Sequence, residues 1–328
     1  MCHLSIVRHL SIAMMIALLS VAGATGPARA QEVIKIVVPF AAGGPVDAVA
    51  RLLANEMQST LGATIVVENR PGAGGVIATE AVARAAADGK TLLMASQGSQ
   101  VISGVLQANP KYDPSQSFDP IAMVGRVPML LIINPNLPVN DFKELIALAR
   151  TRTLTYGSAG AGTVMHIAGE LINTGANVTL THVPYRGVAP ALPDLIGGRL
   201  DVIPADPPVL LPLVLLPLVR TNTVRAIAVL GRERLASLPD IPTLVELGYP
   251  DMVMENWYGL LAPVGLAPAV ATRLETAALA AIKSPKVQEH MQAGELSGTL
   301  DSRAFRARMD SDIAFWRPML PKLGITAP

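Results

Sequence analysis

Residues 35–54, KIVVPFAAGGPVDAVARLLA, hold a branched apolar strand, a glycine loop and the start of an amphipathic helix. The run KIVVP is typical of a buried strand, and apolar residues recur at helical spacing over 47–61. Short apolar strands and helical segments alternate in the same way along the rest of the chain. This alternation predicts an α/β protein with parallel sheets and helices on both faces.

The predicted elements are short and evenly distributed. Strands are predicted at 35–39, 64–67, 91–95, 121–124, 129–133, 155–156, 180–183, 200–203 and 224–230. Helices are predicted at 47–61, 76–87, 141–150, 164–174, 189–196 and over most of the chain after 268. Asn140 or Asp141 is the predicted cap of the third helix. Because ligands of open α/β sheets lie at the carboxyl ends of strands, the loops after strands are the candidate sites.

Composition excludes two classes of protein. The 328 residues include 26 Lys and Arg against 25 Asp and Glu, so the net charge of +1 gives no basis for binding nucleic acid. Apolar residues make up 51% of the chain, which is enough to bury a core and excludes disorder. The length predicts about two domains.

The first 30 residues predict a secretory signal peptide. Arg8 precedes an uncharged, mostly apolar stretch at 10–24, and Ala28-Arg29-Ala30 fits a cleavage site after Ala30. A membrane anchor is the alternative, but the stretch is shorter than the ~18–20 residues that a spanning helix needs. Cys2, the single cysteine, lies in the removed segment, so disulfides, thiolate catalysis and cysteine-bound metals are excluded. We expect a periplasmic protein.

A second uncharged segment, 207–219, contains four prolines. It is too short to cross a membrane and is interrupted by those prolines, so it predicts a buried, irregular wall.

Three glycine loops follow predicted strands. The loop at 39–47 and the loop at 157–163 each lead into a helix, whose free N–H groups suit an anion such as a carboxylate. The loop at 68–75 carries Gly72 and Gly74, but Ile77 stands where a dinucleotide site needs its third glycine. A plain strand-to-helix turn remains the alternative for the loops at 39–47 and 68–75.

The motifs for a serine hydrolase and for a metalloprotease are both incomplete in this sequence. Ser158 lacks the Gly-x-Ser-x-Gly pattern, so an exported hydrolase using Ser158 with His166 or His182 is a minor alternative. His166 and Glu170 lack the second histidine of a metalloprotease motif, so we expect no metal and no cofactor. Asp201 lies in the predicted strand 200–203 and Asp206 follows it. Such a carboxylate pair could suggest acid–base catalysis, but no nucleophile lies nearby.

Five blocks together resemble one family. They are KIVVPFAAGGPVDAVARLLA (35–54), VVENRPGAGG (66–75), LTYGSAGAGTVMHIAGE (154–170), HVPYRGVAPALPDLIGGRLDV (182–202) and VRAIAVLGRERLASLPDIPTLVELG (224–248). In this order they resemble the Bug family, the TctC-like extracytoplasmic receptors of tripartite tricarboxylate transporters. The resemblance extends from about residue 35 to the C-terminus. At 205–207 this chain reads Ala-Asp-Pro, where the family often has Phe-Asp-Asn.

The resemblance implies a type II periplasmic-binding-protein fold, with two doubly wound α/β lobes around a ligand cleft. After the signal peptide, lobe 1 would comprise 31–128 and 231–328, and lobe 2 would comprise 129–230. The implied function is capture of a small carboxylate (a dicarboxylate, tricarboxylate, acidic amino acid or aromatic acid) by a non-catalytic receptor. The implied partners are membrane transporter subunits, and a monomer is expected. A sensor for a signalling kinase is the other role compatible with these motifs.

The resemblance also implies which residues bind the ligand. In the family the first glycine loop and the Tyr-Gly-Ser loop hold a carboxylate, largely through backbone N–H groups and bridging water. The matching positions are Phe40, Gly43, Gly44, Asp47, Ser96, Ser158, Gly160, Gly162, Thr163, His166, Tyr185 and Asp206.

Overall fold

The computed structural model describes residues 32–107, 111–205 and 216–325. The predicted signal peptide and Asp206 lie outside the described residues. Most of the predicted irregular wall at 207–219 also lies outside the described residues. Its last four residues, 216–219, belong to a short helix, Leu216–Arg220.

Eleven strands form two separate sheets within the described residues. Six strands form the first sheet, in the order β11-β4-β10-β3-β1-β2, and five form the second, in the order β7-β6-β8-β5-β9. The strands are β1 (Val33–Val38), β2 (Thr64–Asn69), β3 (Thr91–Ser96), β4 (Phe118–Pro128), β5 (Leu130–Ile133), β6 (Leu154–Ser158), β7 (Leu180–Pro184), β8 (Val202–Ala205), β9 (Arg225–Val229), β10 (Glu255–Pro263) and β11 (Leu300–Asp301).

Ten α-helices of the described residues connect or cover these strands. They are α1 (Pro45–Leu61), α2 (Val76–Ala83), α3 (Ser103–Leu106), α4 (Phe142–Ala149), α5 (Val164–Ala176), α6 (Leu192–Ile196), α7 (Leu216–Arg220), α8 (Pro268–Ile282), α9 (Pro285–Ala293) and α10 (Ser302–Lys322). A π-helical turn, Gly98–Ile102, follows β3, and 3₁₀ turns at Ala73–Gly75 and Ala189–Ala191 precede α2 and α6.

Each predicted strand overlaps an observed one, and the predicted helices are present. The cap of α4 is confirmed as Asp141, whose carboxylate accepts a hydrogen bond from Glu144 N at 2.7 Å. The expectation of purely parallel sheets is wrong. β10 runs antiparallel to β3 and β4, and β5 runs antiparallel to β8 and β9.

β10 and the two-residue β11 are the strands that the sequence pattern does not predict. β10 lies between β4 and β3, and its residues from Asn256 to Pro263 are all buried. Trp257 donates a hydrogen bond from Nε1 to Asp312 Oδ2 at 2.7 Å, and its ring meets the Phe305 ring edge-on at 4.9 Å. These contacts attach helix α10, near the C-terminus, to the middle of the first sheet.

The chain passes between the two sheets at Met129, Leu230 and the segment before Met254. Met129 N donates to Met254 O at 3.0 Å, Leu230 N donates to Met129 O at 2.8 Å, and Met254 N donates to Leu230 O at 2.8 Å. All three side chains are buried. A closed set of backbone hydrogen bonds therefore joins the crossing segments where one sheet gives way to the other.

Gly259 in β10 lies directly under the Phe305 ring. A methyl group at Gly259 would lie 2.3 Å from Phe305 Cζ and 3.2 Å from Ala122 O, which is closer than atoms pack. We expect Gly259→Ala to lower the free energy of unfolding by about 1–3 kcal/mol in urea titrations. We expect Phe305→Leu alone to be destabilising as well, but the double variant should lose less stability than the two single losses combined. Strict additivity would contradict this packing.

Candidate functional site

Two cavities lie where the glycine loops of the two sheets meet, and they share Phe40 and Ala159. The first has a volume of about 30 Å³ and the second a volume of about 330 Å³. The second volume falls within the range that small-molecule sites occupy, which is roughly 300–1,000 Å³, and the first is much smaller.

The first cavity is lined by loops from both sheets. Its residues are Phe40, Ala41, Gly44, Pro45, Val46, Ser96, Ala159, Thr163, Val164, Met165, Gly187, Val188, Ala189 and Asn256. The second cavity is lined by Phe40, Gly72, Ala73, Gly74, Gly75, Ser103, Leu106, Gln107, Ala159, Gly160, Ala161, Gly162, His166, Pro184, Tyr185, Arg186 and Ile325.

The first glycine loop brings the start of α1 to the cavity. Gly43 adopts a positive φ of 83°, which glycine permits, and Gly44 is the extended N-cap residue before Pro45. The cap makes no side-chain hydrogen bond. The first N–H groups of a helix have no partner inside the helix, so this end of α1 presents donors and a positive dipole end to the cavity.

Asp47 holds this loop in place. Its Oδ2 accepts hydrogen bonds from Gly43 N at 2.9 Å and Arg51 Nε at 3.0 Å, and its Oδ1 accepts from Asn69 Nδ2 at 2.9 Å. Asn69 Nδ2 also donates to Phe40 O at 3.0 Å. Asp47 is buried and does not line either cavity, so its contacts position the loop.

The pKa of Asp47 lies below its ordinary value. Burial alone would raise that pKa, but the hydrogen bonds from Arg51, Gly43 and Asn69 favour the charged form and outweigh burial. Asp47 is therefore an anion at neutral pH, and its charge is balanced by Arg51.

The second glycine loop brings the start of α5 to the same cavity. Thr163 is the N-cap residue, and its Oγ1 accepts from His166 N at 3.4 Å and donates to Gly160 O at 2.7 Å. Gly160 and Gly162 have φ values of 127° and 77°, which fold the loop back toward the helix. Thr163, Val164 and Met165 line the first cavity beside Gly44, Pro45 and Val46. Two helix N-termini, one associated with each sheet, thus face one cavity.

The glycine loops also touch each other. A methyl group at Gly74 would lie 2.3 Å from Ala161 O, so only glycine allows this approach. Ser103 Oγ lies 3.1 Å from Gly74 O and 3.3 Å from Gly162 O, and one of these carbonyls accepts its proton. The loops after β2 and β6 therefore pack backbone against backbone.

Ser158 is fully buried under the second loop. Its Oγ accepts from Gly160 N at 3.0 Å and lies 2.6 Å from His182 Nε2. The His182 ring is stacked between the rings of Tyr156, at 5.0 Å, and His166, at 4.2 Å. A serine next to a histidine is the arrangement that a hydrolase would use, but this serine lines neither cavity and contributes to the support of the loop.

His166 connects the stack to the loop. Gly162 N donates to His166 Nδ1 at 3.1 Å, so the neutral ring carries its proton on Nε2. Burial lowers the pKa of His166 to about 4. Burial, followed by the neighbouring His166, lowers the pKa of His182 to about 4. Both rings are neutral at neutral pH.

Ser96 and Tyr185 line different cavities. Ser96 lines the first cavity, and its hydroxyl lies 3.3 Å from Ser99 Oγ. Tyr185 lines the second cavity and donates to Asp194 Oδ2 at 2.8 Å. Burial and that hydrogen bond raise the pKa of Tyr185 to about 12.

The predicted site residues divide into three groups. Those that line a cavity are Phe40, Gly44, Ser96, Gly160, Gly162, Thr163, His166 and Tyr185. Gly43, Asp47 and Ser158 line neither cavity: Gly43 is an exposed residue of the first loop, and Asp47 and Ser158 are buried beneath the loops. Asp206 lies outside the described residues. Asn256 and Val188 line the first cavity without being predicted; Asn256 lies on β10, which the sequence pattern does not reveal.

The described residues lack two kinds of feature. No group of three or more His, Cys, Asp or Glu side chains in that part of the chain could hold a metal ion. None of the helices described there is both long and apolar enough to span a membrane.

Sequence comparison identifies the family. The family described as "Tripartite tricarboxylate transporter family receptor", TctC, matches residues 49–324. The chain belongs to the TctC family. Its relatives include protein BugT of Bordetella pertussis, which is 36% identical over 272 residues, or 82% of this chain and 81% of BugT. TctC proteins are solute-binding receptors and not enzymes, so the hydrolase alternative is wrong.

Solved structures confirm the fold class. The periplasmic binding protein BugD is 34% identical with a TM-score of 0.83, over 90% of this chain and 99% of BugD. Rpa4515 of R. palustris, solved with adipate, is 31% identical with a TM-score of 0.84, over 92% of this chain and 100% of its own. Both support a periplasmic-binding-protein fold of the TctC type.

Loss of the Asp47 charge should loosen the first loop. We expect Asp47→Asn to lower the free energy of unfolding by about 1–3 kcal/mol at pH 7, because a buried amide cannot accept all the hydrogen bonds of the carboxylate. Because the folded pKa is depressed, this contribution is present above about pH 4 and is lost as the pH falls further. Glu80→Gln, which removes a pair with the exposed Arg84, should cost at most ~0.5 kcal/mol in the same urea titrations.

The histidine stack should make the protein sensitive to acid over a different range. An unfolded histidine binds a proton below about pH 6.5, but His166 and His182 stay neutral in the folded state until about pH 4. The unfolded state therefore binds more protons in this range, and the free energy of unfolding should fall as the pH drops from 6.5 to 4.

Urea midpoints at pH 7.5, 5.5 and 4.5 measure this effect. His182→Gln, which keeps a polar group near Ser158, should reduce the fall, because one titrating ring is gone. Glu289→Gln on the exposed surface of α9 should keep the full fall. An equal fall in all three proteins would exclude His182 as a source of the acid sensitivity.

Proposed function

We propose that this protein is a periplasmic receptor that binds a small carboxylate between the N-termini of α1 and α5 and delivers it to a tripartite tricarboxylate transporter. The observation that carries the proposal is that both helix ends line one cavity, while no charged side chain lines it among the described residues. Rpa4515, a relative of 31% identity, was solved with adipate, which is a carboxylate.

The geometry suits one anionic group. Each helix N-terminus carries a partial positive charge of roughly half a unit, and its first N–H groups point away from the helix. A carboxylate between two such ends accepts several charge-assisted hydrogen bonds without a cationic side chain. In this proposal Gly44, Thr163 and Ser96 are the direct neighbours of the carboxylate. Asp47, Ser158 and His166 hold the loops that present the donors.

We also propose that the two sheets belong to two lobes, comprising 31–128 with 231–328 and 129–230. The sheet assignments of the strands support this division. The crossing at Met129, Leu230 and Met254 would then be the hinge, because rotation there changes few backbone angles. A ligand that contacts both lobes shifts the population toward the closed form.

The cellular context follows from the N-terminal sequence. We propose export and cleavage after Ala30, since Ala28-Arg29-Ala30 follows an apolar stretch behind Arg8. The mature receptor would act as a monomer that docks on membrane subunits of its transporter.

A thermal-shift screen tests the proposal. The protein is recovered from the periplasm of an expression host after export of the full chain, then unfolded and refolded to remove bound ligand. We expect small carboxylates to raise the melting temperature, because a ligand that binds only the folded state stabilises it. Amides of the same acids, which lack the charge, should have no effect. If no carboxylate raises the melting temperature, the proposed function is wrong.

A substitution in the second glycine loop locates the site. We expect Gly162→Val to reduce carboxylate affinity about 100-fold or more, because φ there is 77° and a side chain would meet Ser103 Oγ and Leu106 Cδ1 at 3.1 Å. Gly248→Val is the matched control, since Gly248 also has a positive φ, of 91°, with no atom within 4 Å of an added methyl group. Calorimetric titration of both folded variants should show loss only for Gly162→Val.

A further inference from the structure

The glycine motif at 72–75 has no role in the carboxylate site proposed above. It lies between β2 and α2, beside the first sheet, and it packs against the second glycine loop, 160–163, beside the second sheet. We propose that these two loops, together with Ser103, form a latch that holds the two lobes closed in the absence of ligand. This inference rests on the receptor function and the two lobes proposed above.

Each half of the latch is shaped by its own hydrogen bonds. Gly75 N donates to Gly72 O at 2.9 Å in the first half, and Thr163 N donates to Gly160 O at 3.3 Å in the second. The backbone of both loops is therefore ordered before the loops meet. Contact between them then costs little additional conformational entropy, which favours the closed arrangement.

The closest contact of the latch joins backbone atoms. A methyl group added to Gly74 would lie 2.3 Å from Ala161 O and 3.0 Å from Ser103 Oγ, so only glycine lets the loops approach this closely. A second close approach follows β3, where a methyl group added to Gly98 would lie 2.9 Å from Val164 N. Loops of the first sheet thus meet the segment that begins α5 at two points, without intervening side chains.

Ser103 joins the two halves through its hydroxyl group. Its Oγ lies 3.1 Å from Gly74 O, beside the first sheet, and 3.3 Å from Gly162 O, beside the second. The single proton of the hydroxyl can donate to either carbonyl. All three residues are buried, so the hydroxyl takes the place of water as a hydrogen-bond partner while the loops are in contact. Separation of the lobes would remove one of the two carbonyls from its reach.

The latch makes affinity depend on contacts that the ligand does not make. A ligand held by both lobes binds the closed form, so its measured affinity is the intrinsic affinity multiplied by the closed fraction. Gly74 and Ser103 line the second cavity and not the first, where the carboxylate is proposed to bind. Substitutions that open the latch should therefore weaken carboxylate binding from outside the first cavity.

Paired spin labels measure the latch in the refolded, ligand-free receptor. Cys2, the single cysteine, lies in the predicted signal peptide, so Asn55→Cys and Thr174→Cys would supply the two labelling sites of the exported protein. Asn55 is exposed on α1 and Thr174 is exposed on α5. Pulsed electron paramagnetic resonance then reports the distance between the two labels, and thus between the lobes.

We expect Gly74→Ala to shift the labels from a short distance to a longer and broader distribution, because Ala161 O leaves no room for the methyl group. Gly62→Ala is the matched control. Gly62 has a φ of 61°, against 62° for Gly74, and no atom lies within 4 Å of an added methyl group. This control should keep the distribution of the unmodified receptor. Identical distributions in the unmodified receptor and in Gly74→Ala would overturn the latch.

Ser103→Ala tests the hydroxyl separately from the glycine contact. We expect this variant to populate the longer distance too, and to add little to Gly74→Ala, which already separates the two carbonyls. Ser59→Ala, which removes an exposed hydrogen bond to Glu56 O within α1, should change nothing. If Gly74→Ala does not fold, as judged by its melting transition, Ser103→Ala decides. The absence of any shift relative to Ser59→Ala then overturns the latch.

Calorimetric titration separates the latch from the receptor function. Succinate, adipate and benzoate are the probes, and we expect Gly74→Ala to bind each acid that the unmodified receptor binds about 10-fold less tightly. Gly62→Ala should bind it equally well. Equal affinities in Gly74→Ala and the unmodified receptor would overturn the effect of the latch on binding. If no carboxylate binds the unmodified receptor, the receptor function fails, while the label distances still decide the latch.

Discussion

Three backbone hydrogen bonds at Met129, Leu230 and Met254 join the two sheets where the chain crosses between them. The N–H and the C=O of each of these three residues are both hydrogen-bonded to another of the three. The crossing therefore leaves none of these buried backbone groups without a partner. The strands that enter and leave this point, β4, β5, β9 and β10, carry the antiparallel pairs of the two sheets. The positions of the glycine loops relative to each other depend on this crossing.

The site is built from backbone held by buried polar side chains. Asp47 secures the first loop, and the stack of Tyr156, His182 and His166 secures the second, while the cavity between them receives helix N-termini. The charge of Asp47 lies beneath the first loop and is balanced by Arg51, and no charged side chain lines the first cavity among the described residues. Because the loops are held in place, the N-terminal N–H groups of α1 and α5 can bind an anion without rearranging.

Local patterns predict most of this architecture. An apolar strand followed by glycines and by apolar residues at helical spacing predicts β1 and α1, and a similar pattern predicts β6 and α5. These two strand–loop–helix units contain the two loops of the candidate site. The antiparallel course of β5 and β10 is not predictable in the same way, because a buried strand has the same apolar pattern in either direction. Asn256 is carried to the cavity by β10 from nearly 100 residues beyond the second glycine loop. Its place there follows from tertiary pairing, which no local motif encodes.

The absence of charged side chains from the described lining of the first cavity has a kinetic consequence. Long-range attraction between a ligand and a cationic site is screened by salt over about 8–10 Å, whereas contacts with buried dipoles act at short range and are screened much less. Capture by this receptor would therefore gain little from electrostatic steering, and its association rate would change little with ionic strength. Such a receptor performs alike in dilute and in saline surroundings.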